Sequence, residues 1–132
     1  MIGIVAVSHS QQLAEGVIHL ASQMAHGVPM EPAGGLDDGS FGTSYEKIME
    51  AIEKVREQAE DGVLVTVDLG SGVMTTEMVI EDLDDELVQM ADCPMVEGTF
   101  AAAVNASSET DILKLKEIAQ NTWNFRKIQS EE

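Results

Sequence analysis

The sequence predicts a single α/β domain, doubly wound, with helices flanking a mainly parallel four-stranded sheet. Strand-length apolar runs alternate with segments of helical period three or four times along the chain. The first of these runs is continuously apolar, as expected of a parallel strand buried on both faces. With 132 residues, 44% of them hydrophobic, the chain can fill one core, and two independent domains would be a squeeze.

Residues 2 to 7, Ile-Gly-Ile-Val-Ala-Val, form the first strand. From Ser10 to about Ala25 the period becomes helical, with Leu13, Val17, Leu20 and Met24 on one stripe and Ala21 beside it. Met30 to Ala33 reads as a short edge strand, because Pro29 and Pro32 remove donors that a central strand needs. Gly34 to Gly42 is the longest loop signal. A helix capped by Thr43 or Ser44 then runs to about Glu60, with Tyr45, Ile48, Met49, Ile52, Val55 and Ala59 on its stripe. Val63 to Val67 is the next strand and stops at Asp68. Leu69-Gly70-Ser71-Gly72 leads into a helix carrying Val73, Met74, Met78 and Val79. Leu87 to Ala91 is a weaker strand. An Ala-rich helix around Phe100 to Val104 follows, then a last helix starting near Thr110. The expected division is a domain over 1–122 and a tail over 123–132, which lacks apolar period and frays unless Trp123 and Phe125 dock.

Seven Lys plus Arg against 24 Asp plus Glu leave a net charge of −17, which excludes a nucleic-acid surface and disfavours an anionic membrane. No apolar run approaches the roughly 20 residues of a spanning helix, and Met1 opens into a strand-like run without a basic leader, so a soluble cytoplasmic protein is expected. The single cysteine, Cys93, permits neither an intrachain disulfide nor a thiolate metal site. The acidity resembles adaptation to high salt, with an ordinary acidic protein as the alternative.

In an open parallel sheet the ligand lies beyond the carboxyl ends of the strands, where the winding reverses. His9 follows the first strand and Asp68 ends the third. In a flavodoxin-like strand order these strands are neighbours, so a carboxylate can hold one imidazole nitrogen and leave the other free to attack an electrophile. The helix start after His9 opposes its protonation. Gly70, Ser71 and Gly72 precede one helix and Gly42, Thr43 and Ser44 another, and both starts offer N–H donors to a phosphate. No nucleotide P-loop or dinucleotide fingerprint is present. Any anion at the N-terminal segment must be held largely by backbone N–H groups and hydroxyls, or by cations from elsewhere in the chain or from a partner, because the first 46 residues contain no Lys or Arg.

Gly3-Ile4-Val5-Ala6-Val7-Ser8-His9-Ser10, Leu13 to Val17, and Gly34-Gly35 to Asp38-Gly39 with Gly42-Thr43-Ser44 resemble the phosphotransfer subunit of phosphotransferase-dependent dihydroxyacetone kinase. Asp68-Leu69-Gly70-Ser71 with Met74, Glu77 and Met78, then Pro94 to Gly98 and Ala101 to Val104, extend the match over roughly residues 1 to 106. The wider relative is the mannose-type enzyme IIA domain. The resemblance implies a homodimeric phosphoryl carrier that accepts the group on His9, at Nε2, from the histidine phosphocarrier protein of the phosphoenolpyruvate relay. It would pass the group to ADP on the nucleotide-binding subunit of dihydroxyacetone kinase. Asp68 would be the catalytic partner, Ser10, Gly42, Thr43, Gly70, Ser71 and Gly72 would bind phosphate, and neither cofactor nor metal is implied. The alternatives are a mannose-type sugar-transport component and a non-catalytic dimeric regulator. Phe41 stands where the family commonly has an aliphatic residue.

Other residues carry plainer expectations. His19 and His26 suit structural roles, the latter at a helix end where a cation is favoured. Asp37 and Asp38 form turns, Glu81 to Glu86 is a solvated face without calcium-loop spacing, and the eight methionines fill core. Cys93 has no identifiable base and reads as a small buried apolar group.

Overall fold

A computed structural model describes residues 1–129. Its elements are β1 (Gly3–Ser8), α1 (Gln11–Ser22), β2 (Met30–Gly34), α2 (Tyr45–Gln58), β3 (Val63–Val67), α3 (Gly70–Leu83), β4 (Val88–Met90), α4 (Met95–Ala106) and α5 (Ile112–Gln120), closed by a 3₁₀ turn over Asn121–Asn124. The sheet is parallel throughout, in the order β2-β1-β3-β4. Its winding therefore reverses between β1 and β3, and that fixes where a site can form.

Alternation along the two central strands builds two cores. Ile2, Ile4 and Leu64 face a layer of α1, α4 and α5, while Val5, Val7, Val63, Val65 and Val67 face α2 and α3. This is why β1 and β3 read as unbroken apolar runs: both faces are covered. Gly3 is needed where α2 crosses β1, because a Cβ there would stand 2.1 Å from Val55 Cγ1. β2 is an edge strand, as its prolines require. Among the described residues no helix is long and apolar enough to cross a membrane.

Two expectations need correction. The core face of α1 is Ala14, Val17 and Ala21, continued by Ala25 and Val28, whereas Leu13, Leu20 and Met24 are exposed. Small residues let α1 lie close to the sheet, so the large apolar side chains are displaced to its flank. The methionines divide: Met30, Met49 and Met90 pack partly buried against the two cores, none of the eight is fully buried, and Met24, Met74 and Met78 are exposed. β4 shrinks to three residues, whereas α4 (Met95–Ala106) contains the expected Phe100–Val104 and α5 starts near Thr110 as expected, with Asp111 as its N-cap.

The 3₁₀ turn carries Trp123 back over the β4–α4 loop, where its indole N–H donates to Asp92 O at 3.0 Å, and Lys127 pairs with Glu97. Within residues 123–129 the tail is thus attached at two points, although Phe125 is exposed. The rest of the tail, 130–132, lies outside the described residues.

Cys93 packs so closely on α4 that a Cβ at Gly98 would meet its sulfur at 2.2 Å. Burial, with the charge of Asp92 adding to it, pushes the thiol up to about 11. Only roughly one thiol in a thousand is then ionised at pH 8. Iodoacetamide is accordingly expected to label Cys93 rapidly in denaturant and negligibly in the native protein. Comparable rates in the two states, read by mass spectrometry, would contradict the buried assignment.

Candidate active site

The site is assembled where β1 and β3 end side by side. Val7 is in register with Val67, and Asp68 N donates to Val7 O at 3.1 Å, which carries the ladder one residue further. His9, two residues beyond Val7, and Asp68, one beyond Val67, therefore emerge together. His9 Nδ1 lies 2.9 Å from Asp68 Oδ1, and the His9 backbone N–H donates to Asp68 Oδ2 at 3.0 Å.

The carboxylate accepts two further bonds, from Ser8 Oγ to Oδ2 at 2.9 Å and from Leu69 N to Oδ1 at 2.7 Å. Its side chain is 10% exposed. Burial opposes the charged form, but the bonds from the His9 backbone, the His9 ring and Ser8 outweigh it and hold Asp68 below the usual aspartate range. An ionised carboxylate accepts only. Nδ1 must therefore carry a proton, and in the neutral ring the lone pair is on Nε2, an assignment fixed by the hydrogen-bond network.

Nε2 faces Ser71 Oγ at 2.5 Å. Ser71 belongs to the first turn of α3, the sole helix among α1, α2 and α3 whose N-cap side chain makes no capping bond: Ser10 caps α1 and Ser44 caps α2, while Leu69 occupies that place in α3. The first N–H groups of α3 are thus free of a side-chain cap beside the imidazole. Gly72 is required by packing, since a Cβ there would stand 2.6 Å from Val67 Cγ1 and 3.6 Å from both Asp68 Oδ1 and His9 Cε1.

The remaining expected site residues support the loop from behind. Gly42 N donates to His9 O at 3.0 Å, with φ +149° and Leu36 Cγ placed 2.9 Å from where a Cβ would be. Thr43 Oγ1 lies 3.0 Å from Thr75 Oγ1, tying the β2–α2 loop to α3. Ser10 Oγ accepts from Leu13 N at 3.2 Å, and Ser10 N donates to Ser8 Oγ at 2.9 Å. The structure therefore joins His9, Asp68, Ser71 and Gly72 directly, while Ser10, Gly42 and Thr43 make their hydrogen bonds with the protein itself.

No Lys or Arg bonds to these groups among the described residues. Lys47, the first basic residue, donates to the carbonyls of Gly34 and Leu36 at 3.3 and 3.1 Å. Nor is there, among the described residues, a group of three or more His, Cys, Asp or Glu able to hold a metal. His19 and His26 are exposed and stand apart from the site, and Asp38 holds a turn by accepting from Ser40.

Sequence reasoning missed two neighbours. Ser8 is fully buried and holds Asp68 through its hydroxyl. Its position at the end of an apolar strand, immediately before His9, was the available signal. Trp123 helps line a cavity of about 390 Å³ whose other walls are Asp68, Leu69 and Gly70 on one side and Met90 to Cys93 on the other. A tail residue can be placed there only by the tertiary fold.

The chain matches the family model EIIA-man, described as PTS system fructose IIA component, over residues 3–116. It is 39% identical over 136 residues to the PEP-dependent dihydroxyacetone kinase, phosphoryl donor subunit DhaM, of Klebsiella michiganensis, covering 98% of this chain and 28% of that protein. It thus spans little more than a quarter of that relative's length. With the PTS-dependent dihydroxyacetone kinase, phosphotransferase subunit DhaM, of Lactococcus lactis it shares 36% identity over 115 residues, covering 87% of this chain and 90% of the relative. Among solved structures, a protein of unknown function designated EF1359 superposes with a TM-score of 0.78 at 31% identity, over 91% of this chain and 93% of the other. By the match of its sequence from the first strand to the last helix, the chain belongs to the mannose-type enzyme IIA (EIIA-man) family.

Proposed function

We propose that the protein is a phosphoryl carrier in dihydroxyacetone phosphorylation. The observation that carries this reading is the polarised imidazole: Nδ1 is anchored on Asp68, and Nε2 is presented to Ser71 and the uncapped start of α3. In the first step the N–P bond of a phosphohistidine on the histidine phosphocarrier protein breaks as an N–P bond forms at Nε2. Nδ1–H stays on Asp68 and balances the imidazolium character of the transition state. The hydroxyl of Ser71 and the N–H groups of α3 receive the three phosphoryl oxygens. In the second step the group passes to ADP bound on the nucleotide-binding subunit of dihydroxyacetone kinase, so this chain meets neither free nucleotide nor dihydroxyacetone. The carrier acts as a homodimer in the cytoplasm.

The sugar-transport reading draws on the family description, a PTS system fructose IIA component. One reconstitution separates the two. The chain is mixed with phosphoenolpyruvate, the two general relay proteins and the two dihydroxyacetone kinase subunits, and dihydroxyacetone phosphate is followed. Product that depends on this chain is expected. Efficient labelling of the chain without product would favour the transport component, and absence of labelling would leave the regulator.

A further inference from the structure

α1 and α4 lie in the same layer and pack against each other, and each turns an apolar stripe toward the other that neither buries. On α1, Leu13 and Leu20 are 43% and 48% exposed, and Met24 just beyond the helix is 63% exposed. On α4, Val96 and Val104 are 41% and 46% exposed, with Phe100 half-buried between them.

The direction of the stripes follows from helical spacing. At about 100° per residue, Leu13, Leu20 and Met24 lie on the flank opposite Gln11 and Glu15. Those two residues line a cleft against β2 and α2, so the other flank looks toward α4. On α4, Gly98 faces Cys93 and the Ala119 carbonyl of α5, which leaves Val96, Phe100 and Val104 on the side of α1. Six apolar side chains thus border one groove between the two helices.

Charge identifies what covers it. Residues 10–30 and 94–108 together contain two of the chain's 24 acidic residues, Glu15 and Glu97, and none of its seven basic ones. Glu15 turns into the β2 cleft, and Glu97, which helical spacing puts beside Phe100 and Val104, is paired with Lys127, so its charge is offset there. A partner steered by positive charge is drawn to the acidic remainder of the surface. Two copies of a chain at −17 repel each other least through this face. Gly16 lies beside the α1 stripe with open space where a Cβ would be, so no contact within the chain calls for a glycine inside this helix, whereas close approach by a second backbone would.

We infer that the α1–α4 groove is the face through which two copies of the chain associate about a two-fold axis. The inference rests on the homodimer reading above and names its surface. It is tested by sedimentation velocity on the full chain across protein concentration, at low and molar potassium chloride. A dimer that tightens with salt is expected, because screening removes repulsion and leaves the apolar contact. Leu20→Glu and Val104→Glu should each weaken association at least about tenfold, by burying an unpaired charge. Met78→Glu, on the opposite layer, should leave it unchanged. Met24→Glu, beyond the end of α1, repeats the test at a position where a charge does not threaten folding, which circular dichroism verifies for every variant. A wild-type dimer that persists in all three groove variants would overturn the face alone. A wild-type monomer at every concentration would overturn the homodimer reading with it.

Discussion

The His9→Ala protein is expected to fold and to take up no phosphoryl group from the relay. Nε2, the nitrogen proposed to attack, has a hydroxyl and a helix start as its neighbours, and alanine removes it outright. Folding should survive because three of the four bonds to Asp68 do not use the ring: Ser8 Oγ, the residue 9 backbone N–H and Leu69 N all remain. Loss of the ring bond, at a histidine side chain 23% exposed, should cost no more than about 1–2 kcal/mol of stability. The measurement is incorporation of acid-labile phosphate from phosphoenolpyruvate and the two general relay proteins, with thermal unfolding as the control. His19→Ala and His26→Ala, on exposed positions away from the site, should label like the unaltered chain. Labelling that survives in His9→Ala would overturn the carrier assignment.

The fold was legible wherever the chain is covered on both sides. Val63 to Val67 was placed to the residue, because a strand between two helical layers has no polar face to confuse it. A flavodoxin-like strand order makes β1 and β3 neighbours and lets His9 and Asp68 meet, and the structure has that adjacency and that contact. Legibility failed on α1, where residue size and burial diverge. Periodicity puts Leu13, Val17, Leu20 and Met24 on the core stripe with Ala21 beside it, whereas the sheet takes Val17 and Ala21 together with Ala14 and leaves the three larger side chains exposed. Met74 and Met78 are exposed for another reason: they lie on the face of α3 opposite Val73, Val79, Ile80 and Leu83, which pack on the core.

The site shows a different division. His9, Asp68 and Ser71 could be singled out because their chemistry is unusual at the ends of strands and the start of a helix. Ser10, Gly42 and Thr43 share the residue types of a phosphate cradle, yet their polar atoms cap α1, hold the His9 carbonyl and bridge to Thr75. Sequence places such donors near the site and cannot tell an open donor from one with an internal partner. Ser8 shows the converse. A buried hydroxyl that donates to one carboxylate oxygen and accepts from Ser10 N is invisible in composition, although it sets the angle at which Asp68 meets the imidazole.

Asp68→Asn is expected to slow phosphoryl transfer about tenfold to a hundredfold while the protein stays folded. The carboxylate accepts two bonds on each oxygen, from the His9 ring and Leu69 N on one side and from Ser8 Oγ and His9 N on the other. An asparagine must turn its NH₂ toward one of those pairs. Facing the ring, it forces Nδ1 to accept, moves the proton to Nε2 and removes the lone pair that attacks. Facing Ser8 and the His9 backbone, it opposes an N–H that cannot reverse, and the ring keeps only a neutral acceptor. Losing a charge-assisted bond of about 1.5–3 kcal/mol from the transition state corresponds to that range of rates. The pH dependence carries a definite sign. Because the folded protein holds Asp68 below the ordinary aspartate value of about 3.9, the carboxylate's contribution is fully present above that pH and fades only as pH falls through the lower folded value. The unaltered chain should therefore keep an Nδ1-protonated imidazole wherever His9 is neutral, and the variant should show a mixture or the reverse tautomer. Single-turnover transfer gives the rate and nitrogen-15 NMR of His9 gives the tautomer. An unchanged rate with an unchanged tautomer would remove Asp68 from the mechanism, whereas a slower rate that accompanies the tautomer shift identifies it as the group that orients the nucleophile.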